Sequence, residues 1–186
     1  MTYKILGRAI NDADYKTTNC PIYKRWVSML ERCYSRPQVL KRPSYKDCKV
    51  SKDWLKFTNF RNWVVTQFPD WENKQLDKDL LVKGNKLYSA ETCLFVDNQV
   101  NGFLKDRAAS RGKFPLGVYK RSDSKVIRFR ARCNNPITKK SEFLGDFVCP
   151  NLAHEAWRKR KHELACELAD MQKDERVAKA LRNYYV

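Results

Sequence analysis

Two groups of side chains have the types and spacing to do chemistry. Asp77 and Asp79 alternate with Lys78, so in a regular strand the two carboxylates share a face. Oxygen ligands of this kind suit Mg2+ or another divalent cation, and one ion could bridge them to a phosphate. An ordinary charged hairpin with salt bridges would use the same residues. In the second group Arg128, Arg130 and Arg132 alternate with Ile127, Phe129, Ala131 and Cys133. A strand over 126–133 therefore turns three arginines to one face at about 6–7 Å spacing. Lys120, Arg121 and Lys125 extend that surface, and Tyr119 stands beside them. Clustered cations repel one another, so the ladder makes most sense against phosphates and base edges. A sheet can enter the major groove with arginine forking onto guanine. The plain alternative is the solvated face of a small domain.

The charge supports a polyanion partner. The 186 residues hold 38 Lys and Arg against 21 Asp and Glu, a net charge of +17. The excess is uneven: +8 over residues 1–70, −1 over 71–106 and +10 over 107–186. Two basic arms flank a near-neutral middle, and nucleic acid is the expected partner of such surfaces. Hydrophobic residues at 42% allow a packed core. No apolar run approaches the roughly 20 residues of a membrane span, and the N-terminus has no secretory apolar stretch. A cytoplasmic, non-membrane protein is expected. Seven cysteines without a CxxC pair read as reduced, mostly buried thiols. Structural zinc is not expected, because Cys33, Cys48 and Cys93 lack a fourth ligand at suitable spacing.

These groups need elements to position them. Residues 1–20 carry little pattern and read as a loose arm. Pro21 to Tyr34 reads as a helix, with Ile22, Trp26, Met29, Leu30 and Cys33 at helical spacing. Ser51 or Asp53 can cap a second helix carrying Trp54, Phe57, Phe60, Trp63 and Val64. Leu76 to Leu81 and Lys86 to Tyr88 read as a hairpin around Gly84-Asn85. Cys93 to Val96 is a further apolar run, and Asp97 caps a short helix bearing Asn101. A polar linker over 105–113 leads to three strands, 117–120, 126–133 and 142–147. Asn151 then caps a long helix with Leu152, Ala156, Leu164 and Leu168 inward, and a short helix over 174–184 closes the chain. The expected fold class is α+β: a helical N-terminal part with a ββα finger, then a three-stranded antiparallel sheet packed on a helix.

Two family resemblances attach to these segments. Gly117-Val118, Phe129-Arg130-Ala131, Leu144-Gly145-Asp146-Phe147 and Ala153-His154-Glu155-Ala156-Trp157 together resemble the ethylene-response-factor (apetala-two) type DNA-binding domain over about 114–169. That resemblance implies a sheet reading the major groove, with DNA contact by Arg121, Arg128, Arg130 and Arg132 and an additional contact by Tyr119. The earlier segment resembles the phage-type HNH homing endonucleases over about 21–104. It does so through Trp26, Arg32-Cys33-Tyr34, Cys48, Trp54, Leu76-Asp77-Lys78-Asp79, Gly84-Asn85-Lys86, Ser89 to Cys93, Phe95-Val96 and Asn101. The resemblance implies a ββα metal finger with Asp77 and Asn101 as the Mg2+ ligands. The family's general-base histidine falls on Lys78, and the asparagine that orients it falls on Thr92.

That departure bears on function, because deprotonating water near pH 7 needs a neutral base. Lys78 could serve only if strongly desolvated, or Asp79 could act on a metal-bound water. His154, His162 and Cys166 share a face of the last long helix, but that helix belongs to the DNA-reading module. The expected layout is an HNH-like nuclease domain over 1–104, a linker over 105–113 and a DNA-binding domain over 114–186. The expected function is a metal-dependent DNA endonuclease or nickase acting on double-stranded DNA. The alternative is a DNA-binding protein that keeps the nuclease fold without the chemistry, and a weaker one is an RNA-binding component.

Overall fold

The computed structural model describes residues 4–105, 113–121 and 126–186. It is a mixed α+β chain in two compact units, Met1–Asn98 and Gln99–Val186. Lys125, expected on the basic face, lies outside the described residues.

The first unit is built around α1 (Pro21–Tyr34). Ile22, Trp26, Met29, Leu30 and Cys33, the stripe visible in the sequence, are all buried. α2 (Arg36–Lys41) follows directly, and α3 (Phe57–Gln67) crosses α1 through an aromatic core. Trp26 donates Nε1–H to the Trp54 carbonyl at 2.7 Å, and its ring lies 5.4 Å from that of Phe57. The expected single helix from Ser51 or Asp53 is broken in two. A 3-10 turn over Asp53–Leu55 ends at Lys56, whose ψ of 130° is extended, and α3 starts after it.

The N-terminal arm is structured from Lys4 onward. β1 (Lys4–Ile5) and β2 (Ala9–Ile10) form a hairpin whose turn has positive φ at Leu6 and Gly7. Asp12 then binds the first turn of α3. Its Oδ1 accepts from the Thr58 amide at 3.0 Å and its Oδ2 from the Thr58 hydroxyl at 2.7 Å. The arm thus supplies the cap that α3 lacks locally. Partial burial works against the Asp12 charge, but the Thr58 hydrogen bonds outweigh it and hold the carboxyl below its ordinary value of 3.8. A depressed carboxylate stabilises the fold above the unfolded-state pKa and loses that effect as pH falls through the folded one. Asp12→Ala is expected to cost about 1 kcal/mol, read by urea melts at pH 7. At pH below the folded Asp12 value, variant and parent should converge.

The rest of the first unit holds three short pairings. β3 (Lys49–Val50) runs parallel to β5 (Leu87–Tyr88). β4 (Lys74–Asp77) pairs antiparallel with β6 (Leu94–Asp97), Asp77 opposite Leu94. The expected hairpin between the 76–81 and 86–88 segments is therefore corrected. The return strand of β4 is β6, while Lys86–Tyr88 leaves to pair with β3, a partner some forty residues upstream that periodicity cannot reveal.

The second unit opens within α4 (Asn98–Leu104), from Gln99 onward. Its sheet has the order β7 (Val118–Lys120), β8 (Phe129–Asn134), β9 (Ser141–Phe147), all antiparallel. α5 (Pro150–Asp170) covers one face, and α6 (Glu175–Asn183) packs on α5. The buried face of α5 is Ala153, Trp157, Leu164, Ala165, Leu168 and Ala169. Leu152, expected inward, is exposed; the helix starts at Pro150 with Cys149 before it, and its inner row runs through Ala153 and Trp157 instead. Glu142 of β9 accepts from Arg160 of α5 at 2.7 Å and from Asn135 at 2.7 Å, which hold its carboxyl down to about 2. Lys161 lies inside the unit, its Nζ 3.5 Å from the Phe103 ring centre and 2.9 Å from the Phe103 carbonyl. Burial pulls that amine down to about 8, and it ties α5 to α4.

Candidate nucleic-acid interface

The register of the sheet decides which basic residues share a face. Tyr119 lies opposite Arg130, and Arg130 opposite Asp146, so these three form one row across all three strands. Ala131 and Cys133, the alternate positions, are fully buried on the α5 side. Arg128, Arg130 and Arg132 therefore point away from α5, as the alternation in the sequence requires. Arg121 sits beside Arg128, to whose carbonyl its amide donates at 3.0 Å. Lys120 does not join them. It pairs with Phe129 and so belongs to the opposite, α5-side face, exposed at its edge.

The face is not a uniform ladder of free cations. Arg130 grips Asp146 with two parallel bonds, Nε to Oδ1 at 2.7 Å and Nη2 to Oδ2 at 2.9 Å. Arg121 Nη1 adds a third at 2.8 Å to Oδ2. Asp146 is held down to about 2, first by Arg130 and further by Arg121. The carboxylate is thus ionised at neutral pH. Arg130 is raised in turn, with Asp146 as the main cause. Its guanidinium lies 5.0 Å from the ring centre of Phe143, a residue 57% exposed. Among the described residues Arg128 and Arg132 carry no ion pair.

A guanidinium has five N–H donors in a fixed fork. Asp146 uses two from the Nε edge, leaving three that an external acceptor could meet. The aromatic face of Phe143 and the carboxylate together fix the plane of the fork, which is the condition for bidentate readout. Asp146 and Phe143 were missed as site residues by sequence reasoning. The only signal was an Asp inside a strand, where that residue is disfavoured.

A β-bulge sets this arrangement. Ala131 pairs with Gly145, but Arg132 pairs with Phe143, leaving Leu144 as the extra residue on β9. Bulges re-aim side chains; here Phe143 and Asp146 fall on the arginine face although they are an odd number of positions apart. Gly117 sets the approach of β7 to α5. Its φ is +76°, and a Cβ there would stand 1.9 Å from Trp157 Cδ1. His154 stacks on Trp157 and its Nδ1 lies 2.9 Å from the Leu116 carbonyl. His154 is thus spent on the packing of β7. His162 has its Nε2 3.8 Å from Cys166 Sγ.

The hairpin residues expected to do catalysis are engaged in closing their own loop. Asp77 Oδ1 accepts from the amides of Asp79 at 2.9 Å and Leu80 at 2.8 Å. Burial pushes its carboxyl above the ordinary value, against those two hydrogen bonds. Lys78 is 6% exposed, and its Nζ donates to Asp79 Oδ1 at 2.6 Å and to the Asn85 carbonyl at 2.5 Å. Asn85 returns a bond from Nδ2 to the Lys78 carbonyl at 2.8 Å. Thr92 donates to the Leu87 carbonyl at 2.7 Å. Asn101 lies on α4, in the second unit. Among the described residues no three His, Cys, Asp or Glu side chains converge as a metal site. Burial drives Cys33 and Cys93 up to about 12.

Set against known proteins, the chain matches no family model, no curated protein and no solved structure.

Proposed function

We propose that the protein binds double-stranded DNA through the outward face of β7–β8–β9, with no hydrolytic step. The observation that carries this reading is the clamp of Arg130 by Asp146 within a row of guanidiniums. Among the described residues, four arginines, Arg121, Arg128, Arg130 and Arg132, share a solvent-facing sheet surface with one carboxylate. That carboxylate serves to orient the central fork instead of neutralising the face. Arg130 presents its remaining donors to a base edge, while Arg128 and Arg132 reach the flanking phosphates. Tyr119, 41% exposed, borders the same row. The net charge of +17 adds the long-range attraction that speeds encounter with DNA.

The hairpin bonds favour binding over cleavage. Lys78 Nζ stands against Asp79 where the resemblance to HNH enzymes calls for a general base, and it acts there as a hydrogen-bond donor. A cation already placed on Asp79 offers that carboxylate the partner a divalent ion would otherwise be. Asp77 spends Oδ1 on two backbone amides. These residues fit a structural loop closure better than a Mg2+ site, so no step is routed through a metal.

One sample tests both halves. Titrated with a fluorescent duplex, the protein should bind with an affinity that falls steeply as salt rises. Incubated with supercoiled plasmid and Mg2+ or Mn2+, it should leave the plasmid supercoiled. Nicked circles that vanish in Asp77→Ala and Asn101→Ala would establish the endonuclease reading instead, and absent duplex binding would remove the DNA reading.

A further inference from the structure

The first unit carries a second basic feature, separate from the sheet. A cleft of about 270 Å³ opens between one face of α1 and strand β4, lined by Lys24, Arg25, Ser28 and Arg32 from the helix and Gln75 from the strand. Positions 24, 25, 28 and 32 recur at helical spacing, so their side chains converge on one side of α1. No acid is among the lining residues.

Three cations gathered without an acid repel one another, and the geometry shows how the two arginines are held. Arg25 lies 5.3 Å from the Trp71 ring centre and donates Nη2 to the Glu72 carbonyl at 2.8 Å. Its guanidinium is pulled below its ordinary value, first by burial and then by the charge of Arg32. Arg32 sits 5.7 Å from the Tyr45 ring centre, and the Tyr45 and Tyr88 phenols hold its guanidinium above the ordinary value against the pull of burial. Its Nε is buried and meets no hydrogen-bond acceptor among the described residues. A buried donor left unmatched loses its hydration without a replacement bond. An anion with several acceptor oxygens would screen the Arg25–Arg32 repulsion and give the Arg32 guanidinium an acceptor. Ser28 and Gln75 add uncharged donors that suit the remaining oxygens.

We propose that this cleft binds a phosphate group, with Arg32 and Arg25 gripping its oxygens and Lys24 closing the open side. The same chemistry is offered by inorganic phosphate and by a phosphodiester of a nucleic-acid backbone. Guanidiniums suit either, because the planar fork matches tetrahedral phosphate oxygens in pairs. The proposal stands on the cleft itself and does not depend on the sheet reading DNA.

The test follows arginine Nε–H signals by 15N-edited NMR on the full chain, with two probes in separate titrations. One is inorganic phosphate, set against sodium chloride at equal ionic strength, and the other is a short DNA duplex. The expected result is a saturable shift of Arg32 and Arg25 Nε–H with phosphate that chloride does not reproduce. A shift with both probes assigns the site to a backbone phosphate. A shift with inorganic phosphate alone assigns it to a free phosphate, and a shift with duplex alone to a phosphodiester held by neighbouring contacts. Lys24→Ala, at an exposed position, should weaken the responding probe about threefold without altering the fold. Arg32→Lys, which keeps the charge and loses the fork, should weaken it tenfold or more. No saturable shift with either probe, or equal shifts with chloride, overturns the proposal.

Discussion

With Arg128, Arg130 and Arg132 all changed to Ala, duplex binding is expected to weaken about a thousandfold. Each good base-edge or phosphate contact is worth roughly 1–3 kcal/mol, and a factor of ten is about 1.4 kcal/mol. The three do not contribute alike. Arg128 and Arg132 have no ion pair among the described residues, so their loss removes charge contacts that any sequence can make. Each such phosphate contact lowers the slope of log affinity against log salt by about 0.9. Arg130 is clamped by Asp146 at 2.7 Å and 2.9 Å, so its loss should flatten the preference among sequences more than the salt slope. Partly exposed ion pairs contribute little to folding, and Asp146 keeps Arg121 as a partner when Arg130 is lost, so the triple variant should melt within a few degrees of the parent. Unchanged binding would move the DNA surface off the sheet.

The second large effect is on the fold that holds the face. Gly117→Ala places a methyl group 1.9 Å from Trp157 Cδ1 at a φ of +76°. Left-handed backbone costs a non-glycine residue about 1–2 kcal/mol, and overpacking a filled site costs about 1–3 more. The sum, roughly 3 kcal/mol, lowers the melting temperature of a unit this size by on the order of 15 °C. Trp157 cannot give way easily, because it is buried and stacked on His154. Gly102, on α4, makes the control: a Cβ there meets nothing within 4 Å, so Gly102→Ala should leave stability unchanged or raised. Equal melting curves for the two variants would contradict the tight approach of β7 to α5.

What the sequence discloses depends on how local the deciding contact is. The α1 stripe from Ile22 to Cys33 is written in the helical period, and the arginine face of β8 in the strand period. Both are legible because each repeats within one element. The break at Lys56 is not, since Trp54, Phe57 and Phe60 keep helical spacing across it while their backbone does not. Pairing of Leu87–Tyr88 with Lys49–Val50 is equally hidden, because it is parallel and long-range. At the site, the three arginines were visible, but the Asp146 clamp depends on register and on a bulge between distant strands. Lys120 is near them in sequence, whereas register puts it on the other face. The chemistry of Lys78 is legible in sequence, but its burial against Asp79 and Asn85 is a property of the folded loop.

The proposed contact of the Arg130 row with DNA is read from the arginine Nε–H signals of β8 while a duplex is added. Arg128, Arg130 and Arg132 should shift together and saturate at one affinity. Asp146→Ala should preserve the shifts of Arg128 and Arg132 while reducing discrimination between duplex sequences. Saturable binding that leaves all three β8 arginines unmoved would contradict the account.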